Sequence, residues 1–210
     1  MNSNATPRSS RPYLIAAAVL LIALAAYLLY PVLAGGDKLP VVMDAPDFAL
    51  TDPAGAPVTQ ADFDGQVRLV EFIFTSCPDI CPATTANMVQ MQEPLKEKGW
   101  FGDEVQFVAI TFDPETDTPE RLAEYADRMG MDLSGWTLIR DDEQKTKDYA
   151  ANFNISIQRL DQGQYMHSVT SLLLIDGQHR VRKIYKMGED MNNDQIMADL
   201  ESVVTERSPS

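Results

Sequence analysis

Residues 67–82 read VRLVEFIFTSCPDICP, and the architecture of the chain can be built outward from this segment. Its first half, Val67 to Phe74, is rich in β-branched and aromatic residues and nearly all apolar after Arg68. That composition is typical of a central strand buried on both faces. The second half brings two cysteines to the place where Pro82 indicates that a helix begins. The segment therefore predicts a buried strand that ends in a pair of thiols.

The regions after this segment continue the alternation of strands and helices. The helix after Pro82 should be interrupted or kinked at Pro94 and should end before Gly99, and a second buried strand spans Val105 to Phe112. Together these elements form a βαβ unit. The later elements are a helix that is capped around Asp117–Pro119 and stops at Gly130, a strand 136–139, a helix 142–153, strands 168–175 and 181–186 around the Asp176-Gly177 turn, and a helix from about 192 to 204.

A short hairpin precedes the βαβ unit, with strands at 47–50 and 58–63 on either side of a Pro53/Gly55 turn. Parallel strands with crossover helices, followed by an antiparallel pair, predict an α/β three-layer sandwich of the thioredoxin kind. We therefore expect a thioredoxin-like domain with an N-terminal β-hairpin extension.

Composition excludes several classes of function. The chain has 210 residues, of which 45% are hydrophobic, enough for a core. Its net charge of -14 would repel a phosphate backbone and argues against nucleic-acid binding. Two cysteines and two histidines are too few for a multi-zinc or disulfide-rich scaffold. One small metal or redox site remains open.

The N-terminal part has the features of a membrane anchor. Tyr13 to Ala34 is uncharged and mostly aliphatic, and as a helix it would rise about 33 Å and span a bilayer. Arg8 and Arg11 precede it, which places the N-terminus in the cytoplasm. The alternative is a cleaved signal peptide, whose cleavage site this sequence matches poorly. We predict a single-pass protein of the bacterial inner membrane facing the periplasm, with a cytoplasmic segment 1–12, an anchor 13–34, a linker 35–41, a domain 42–204 and a flexible tail 205–210.

The two cysteines are the first candidate site. The i, i+4 spacing of Cys77 and Cys81 puts both sulfurs on one side of a turn, where they can chelate one ion or form a disulfide. The start of a helix favours negative charge, so we expect one or both thiols to be thiolate-prone. A structural disulfide is the alternative, but so small a loop would stabilise the fold by only roughly 2 kcal/mol.

Two further regions hold candidate residues. His167 lies just ahead of the strand that starts near Ser168, and its imidazole could join the same ion, although spacing alone does not show this. Asp113 follows the second buried strand and could sit beside the thiols as an acceptor or proton relay; helix capping and turn formation are the alternative for Asp113 and account for Asp117. His179 falls in the turn of the last strand pair, where we expect it to be solvated.

Three motifs, CPDICP, FDPETDTPE and MHS before SLLLID, resemble the Sco/SenC family of membrane-anchored copper proteins over roughly residues 42 to 204. The resemblance implies a thioredoxin-like domain that binds one copper ion, Cu(I) or Cu(II), through Cys77, Cys81 and His167, with Asp113 at the acidic position of the family. It also implies partners: the copper A subunit (subunit II) of cytochrome c oxidase, whose assembly it would assist, and other periplasmic copper chaperones. This chain departs from the family pattern at Thr75-Ser76 and at Tyr165-Met166.

Three functions are compatible with these residues. Two thiolates and one imidazole suit Cu(I) and can hold Cu(II) while leaving a position open for transfer, which favours a copper chaperone; zinc would accept the same ligands. A thiol-disulfide oxidoreductase that reduces the cysteines of the oxidase copper site would need only Cys77 and Cys81. A peroxiredoxin-like peroxidase fits poorly, because Thr75 stands two residues before Cys77 and not three. The contribution of His167 separates the first two functions.

Overall fold

The computed structural model describes residues 19–27, 38–159, 165–167 and 171–206. The chain divides into two units, Met1–Lys38 and Leu39–Ser210. Within the first unit, residues 19–27 are helical and exposed. No helix in the described ranges is both long and apolar enough to cross a membrane. Most of the predicted anchor, 13–34, and the segments 1–12 and 207–210 lie outside the described residues.

A six-stranded mixed sheet forms the centre of the second unit. Its strands are β1 (Met43–Asp44), β4 (Val67–Ile73), β5 (Val105–Thr111), β6 (Trp136–Ile139), β9 (Ser171–Ile175) and β10 (Arg180–Lys186). They are hydrogen-bonded in the order β1-β10-β9-β4-β5-β6. Strands β4, β5 and β6 are parallel, and β9 and β10 add antiparallel strands beside β4. The sequence predicts this combination of a parallel core and a closing antiparallel pair.

Four helices connect or follow the strands: α1 (Ile80–Glu97), α2 (Pro119–Met129), α3 (Glu143–Ala151) and α4 (Asn193–Thr205). Helix α2 shows how local sequence sets such boundaries. The Thr118 hydroxyl accepts a hydrogen bond from the Arg121 amide at its start, Pro119 occupies the first turn, and Gly130 ends it with a φ of 76°.

The helices lie on both faces of the sheet, which can be read from two adjacent residues of β4. Successive side chains of a strand point to opposite faces. The Glu71 carboxylate accepts a hydrogen bond from Thr85 of α1, whereas the Phe72 ring contacts the Tyr149 ring of α3, with the ring centroids 6.1 Å apart. Helices α1 and α3 therefore cover opposite faces, and the prediction of a three-layer α/β sandwich is confirmed.

The N-terminal hairpin is present but shorter than predicted. Strands β2 (Ala49–Thr51) and β3 (Pro57–Thr59) pair antiparallel as a separate two-stranded sheet. The predicted second strand is cut short because Gln60–Phe63 form a 3-10 helix, where the Asp62 carboxylate accepts a hydrogen bond from the Thr59 amide. Phe63 is buried at the end of this turn. The hairpin extension predicted from the sequence is confirmed, with this correction to its second strand.

A further strand pair was not predicted. Strands β7 (Ile157–Arg159) and β8 (Tyr165–His167) pair antiparallel, with His167 opposite Ile157. The predicted strand 168–175 begins only at Ser171 among the described residues. His167 is therefore the last residue of β8 and belongs to the small β7–β8 pair.

Helix α1 begins earlier than the sequence indicates. It starts at Ile80, so that Cys81 and Pro82 both lie in its first turn. The amides of the first turn have no partner inside a helix, so a proline there costs no hydrogen bond. Pro94 also lies inside the helix, which continues to Glu97. The prediction that the helix begins after Cys81 is wrong, and of the two predicted effects of Pro94, interruption or a kink, the continuous helix excludes the interruption.

Candidate functional site

The cysteines occupy the junction between β4 and α1. Cys77 follows the strand in a short connection, and Cys81 is the second residue of the helix. No disulfide joins them. The Cys81 amide donates a hydrogen bond to the Cys77 sulfur across 3.5 Å, and the two thiols are hydrogen-bonded to each other. Cys81 is fully buried and Cys77 is 9% exposed. The predicted proximity of the sulfurs is therefore present.

The local electrostatics differ from the expectation for a thiol at a helix start. The hydrogen bond that the Cys81 thiol donates to the Cys77 sulfur holds its proton and raises the pKa of Cys81, and burial raises it further. A backbone hydrogen bond at Phe74 lowers the pKa of Cys81, but its effect is smaller than the two that raise it. The expectation of a thiolate-prone sulfur is therefore not met at Cys81, because burial and the neighbouring sulfur dominate over the helix end. Binding of a metal ion would have to displace the Cys81 proton.

Asp117 anchors the connection that carries Cys77, a role the sequence analysis missed. Its buried carboxylate accepts hydrogen bonds from the Thr75 amide at 3.1 Å, from the Thr75 hydroxyl at 2.5 Å and from the Thr111 hydroxyl at 2.5 Å. Thr118, not Asp117, caps α2. The assignment of Asp117 to capping is therefore wrong: it joins the segments that follow β4 and β5. The available signal was a threonine at the end of each buried strand segment, Thr75 just after β4 and Thr111 as the last residue of β5.

Arg121 reinforces this anchor from α2. Its Nε donates to the Thr75 hydroxyl at 2.8 Å, and another guanidinium nitrogen donates to the Ser76 hydroxyl at 3.0 Å. Thr75 and Ser76 are the positions at which this chain departs from the family pattern. The connection ahead of Cys77 is thus held by a buried carboxylate on one side and a guanidinium on the other.

A buried acid lies beneath the junction. Glu71 is fully buried in β4, where Thr85 donates to its Oε1 at 3.0 Å and the Tyr125 hydroxyl contacts Thr85 at 2.9 Å. Glu71 Oε2 has no hydrogen-bond partner within the described part of the chain. Burial raises the pKa of Glu71 from its ordinary 4.5 to about 8. Its charge also raises the pKa of Cys81, which places it within electrostatic reach of the thiols.

Asp113 is hydrogen-bonded to a residue of the β7–β8 pair. It is buried at 3% exposure, and its Oδ1 accepts a hydrogen bond from the Tyr165 hydroxyl at 3.2 Å. The Tyr165 ring lies against Phe74 and Phe112, with centroid separations of 5.5 and 5.3 Å. Phe74 stands three residues before Cys77, and Phe112 directly before Asp113. The strand that ends at His167 is therefore in contact with the edge of the sheet that carries the cysteines.

The candidate ligand set is only partly visible in this geometry. Cys77 and Cys81 lie together, and the backbone of His167 is placed two residues beyond Tyr165 in β8. Among the side chains that the structure describes, no three histidine, cysteine, aspartate or glutamate groups are gathered as a metal site. The ligand role of His167 stays a prediction, as does a role of Asp113 at the site.

His179 is not solvated as predicted. Its ring is 18% exposed, with Nδ1 2.9 Å from an Arg68 guanidinium nitrogen and Nε2 2.7 Å from an Asp64 carboxylate oxygen. Arginine can only donate, so Nδ1 accepts and Nε2 carries the proton that is donated to Asp64. His179 lies in the β9–β10 turn and supports buried Arg68, a structural role.

Comparison with known proteins gives the same assignment over the whole globular part. The family model described as SCO1/SenC matches residues 42–205. The SCO1 protein homolog of Bacillus subtilis is 28% identical over 176 residues, which are 81% of this chain and 89% of that protein. The mitochondrial SCO2 homolog of Homo sapiens is 36% identical over 130 residues, or 61% of this chain. The chain spans about half (48%) of that mitochondrial relative.

Solved structures share the fold. A SCO1/SenC family lipoprotein from Bacillus anthracis has a TM-score of 0.72 at 29% identity, covering 80% of this chain and 99% of the other. BsSco has a TM-score of 0.69 at 26% identity, covering 80% of this chain and 98% of the other. It is a member of the Sco family of cytochrome c oxidase assembly proteins, and a disulfide switch was identified in it. Arabidopsis thaliana ScoI, solved with copper bound, has a TM-score of 0.62 at 25% identity, covering 77% of this chain and 96% of the other. The fold is thus thioredoxin-like, and the chain belongs to the SCO1/SenC family.

Proposed function

We propose that this protein is a membrane-anchored copper chaperone that binds one copper ion through Cys77, Cys81 and His167. Its cargo would serve the assembly of the copper A centre of cytochrome c oxidase. The observation that carries the proposal is the pair of adjacent thiols at the junction between β4 and α1, in a chain whose SCO1/SenC relatives include a protein solved with copper bound. The oxidase follows from BsSco, which belongs to a family of oxidase assembly proteins.

The donor chemistry supports copper as the cargo. Thiolate sulfur and imidazole nitrogen suit Cu(I) and can also hold Cu(II). Cys81 is fully buried and Cys77 is the more exposed of the two residues, so we expect an ion approaching from solvent to meet Cys77 first. Since the Cys81 thiol holds its proton in the metal-free protein, loading is coupled to proton release. Three protein ligands leave a position through which the ion can pass to another protein.

The third ligand is supported by the position of β8. His167 ends this strand, and Tyr165 of the same strand contacts Phe74, which precedes the cysteine-bearing connection. Residues two apart in a strand share a face, so position 167 shares the face of β8 that carries Tyr165. Asp113 acts in this proposal through its hydrogen bond with Tyr165, beside the ligands and not as one of them.

The partners and the location complete the proposal. We infer that the segment 13–34 anchors the chain in the inner membrane with the globular unit in the periplasm, where subunit II of the oxidase and other copper chaperones are available as partners. The apolar sequence of 13–34 and the arginines before it support this topology. Protease added to intact spheroplasts should degrade the globular unit; full protection of that unit would contradict the orientation.

Copper titration of the full chain in detergent tests the ligand set. Cys77→Ala, Cys81→Ala and His167→Ala should each abolish tight binding of one equivalent of copper, measured against a competing chelator. His179→Gln is the matched control, because it removes the other histidine while keeping groups that can bond Arg68 and Asp64. Full-strength binding by any of the three alanine variants would remove that residue from the ligand set.

A second function is favoured by one specific observation. The two thiols are hydrogen-bonded within one turn, the arrangement that disulfide formation requires, and BsSco contains a disulfide switch. As a thiol-disulfide oxidoreductase the chain would pass two electrons and two protons to the oxidase cysteines while a Cys77–Cys81 disulfide forms. This activity should survive His167→Ala, whereas copper binding should not. No tight copper binding by either the parent or His167→Ala, with thiol exchange intact in both, would favour the oxidoreductase alone.

A further inference from the structure

Tyr165 connects the strand that carries His167 to the sheet edge that carries the cysteines. Its ring forms a triangle with Phe74 and Phe112, in which all three centroid separations lie between 5.2 and 5.5 Å. Phe74 follows β4 and Phe112 follows β5, and both are buried. The ring therefore packs over the ends of the two central strands, against Phe74, three residues before Cys77, and Phe112, directly before Asp113.

The hydroxyl of Tyr165 fixes the orientation of the ring through hydrogen bonds. It lies 3.2 Å from Asp113 Oδ1 and 3.4 Å from Glu143 Oε1, so it is oriented between two carboxylates. The same carboxylates cannot accept a hydrogen bond from phenylalanine at this position.

Basic side chains surround the ring. Lys147 Nζ and the Arg159 guanidinium carbon each lie 5.9 Å from its centroid, and both residues form ion pairs with Glu143, at 2.5 and 3.5 Å. Arg159 is the residue opposite Tyr165 in the β7–β8 pair. Helix α3 and strand β7 therefore hold the ring from the side away from the sheet.

We infer that Tyr165 is a positioning residue for the copper ligand His167. The ring and the hydroxyl of Tyr165 fix the backbone of β8 against the ends of β4 and β5, and His167 follows two residues later on the same face of the strand, roughly 7 Å along it. The inference rests on the proposed ligand set. It adds that this chain, which departs from the family pattern at Tyr165, uses that departure to place its histidine.

Two substitutions separate the contributions of the ring and the hydroxyl. Tyr165→Phe keeps the ring and should weaken copper binding about 3- to 10-fold, the effect of one hydrogen bond. Tyr165→Ala removes both and should weaken it about 10- to 100-fold, as for other groups that orient a metal ligand. The matched control is Tyr185→Phe, which deletes a hydroxyl bonded at 2.8 Å to another buried carboxylate, that of Asp199 on α4. That variant should bind copper like the parent.

The measurement is copper affinity of the full chain in detergent, by chelator competition, together with the nitrogen hyperfine coupling in the electron paramagnetic resonance spectrum of the Cu(II) form. A positioning role predicts that Tyr165→Ala reduces the imidazole signature, which a general loss of stability would not do while the protein stays folded. The reduction potential of the metal-free Cys77–Cys81 pair should be unchanged in Tyr165→Phe. If Tyr165→Ala does not fold, the inference is tested by Tyr165→Phe alone, through its copper affinity and the reduction potential of its Cys77–Cys81 pair.

The His167→Ala background distinguishes the possible failures. There Tyr165→Ala should cause no further loss of copper affinity, because Tyr165 acts through the histidine. Parent-like affinity and spectrum in Tyr165→Ala, or an equal additional loss in the His167→Ala background, would overturn the inference while leaving the ligand set intact. Parent-like binding by His167→Ala alone would instead overturn the ligand set, and the inference with it.

Discussion

Replacing Glu71 with glutamine should make the folded domain more stable and less sensitive to pH. Glu71 is fully buried, and its pKa rises from 4.5 to about 8 on folding. The folded state therefore binds the proton more tightly than the unfolded state does. This contribution to stability is fully present below pH 4.5 and is lost as the pH rises toward 8, by about 1.4 kcal/mol per pH unit and about 5 kcal/mol in all.

Glutamine keeps the oxygen that accepts from Thr85 and has no proton to lose. At pH 7 the Glu71→Gln variant should therefore be about 3 kcal/mol more stable than the parent, a difference that nearly vanishes at pH 4.5. Thr85, Tyr125 and Cys81 face this carboxyl group in both proteins, so their effects largely cancel in the comparison.

Urea denaturation of residues 39–210 at pH 5.5, 6.5 and 7.5 measures this difference. The parent should lose about 2 to 3 kcal/mol relative to the variant across that range. Glu97→Gln is the control, because Glu97 is exposed at the end of α1, the helix that carries Thr85. Parallel pH curves for the parent and Glu71→Gln, or a variant less stable than the parent at pH 7, would refute the reasoning.

Two further substitutions test buried hydrogen bonds at opposite ends of the sheet. Asp117→Ala leaves the Thr75 amide and the Thr75 and Thr111 hydroxyls without this acceptor and should lower the free energy of unfolding by about 3 to 5 kcal/mol; a loss below about 1 kcal/mol in urea would contradict the anchor. His179→Ala withdraws an acceptor from buried Arg68, whose Nε already has no partner among the described residues, and should cost about 2 to 3 kcal/mol without affecting copper binding. An unchanged melting temperature would count against this role.

Controls for both substitutions are available nearby. Asp103→Ala removes an exposed carboxylate from the loop before β5, and Gln178→Ala removes an exposed side chain next to His179. Neither should change the free energy of unfolding by more than about 0.5 kcal/mol.

The parts of the fold that the sequence predicts are those set by local pattern. Val67 to Phe74 and Val105 to Phe112 are mostly apolar, and both form buried strands within one residue of the predicted ends. Thr118, Pro119 and Gly130 set the ends of α2 through contacts made within a few residues. Such signals need no knowledge of the rest of the chain.

The features that the sequence did not predict depend on contacts between distant residues. Strand β7 has only three residues, two of them exposed, and its partner β8 follows in the chain without an apolar alternation long enough to indicate a strand. Asp117 stands where a capping residue is expected, and only the fold shows that it bonds Thr75, 42 residues away. His179 looked solvated in its turn because Asp64 and Arg68 lie more than 100 residues away in the chain.

The bonding of His179 makes the two histidines of the chain easy to distinguish by spectroscopy. Both ring nitrogens of His179 are engaged, one by Arg68 and one by Asp64, so this imidazole is fixed in a single tautomer. In a sample labelled with ¹⁵N-histidine, the resonances of His179 would serve as an internal reference. Any second set of imidazole signals then reports on residue 167 alone, so that diamagnetic Cu(I) loading could be followed at one ring without further labelling or substitution.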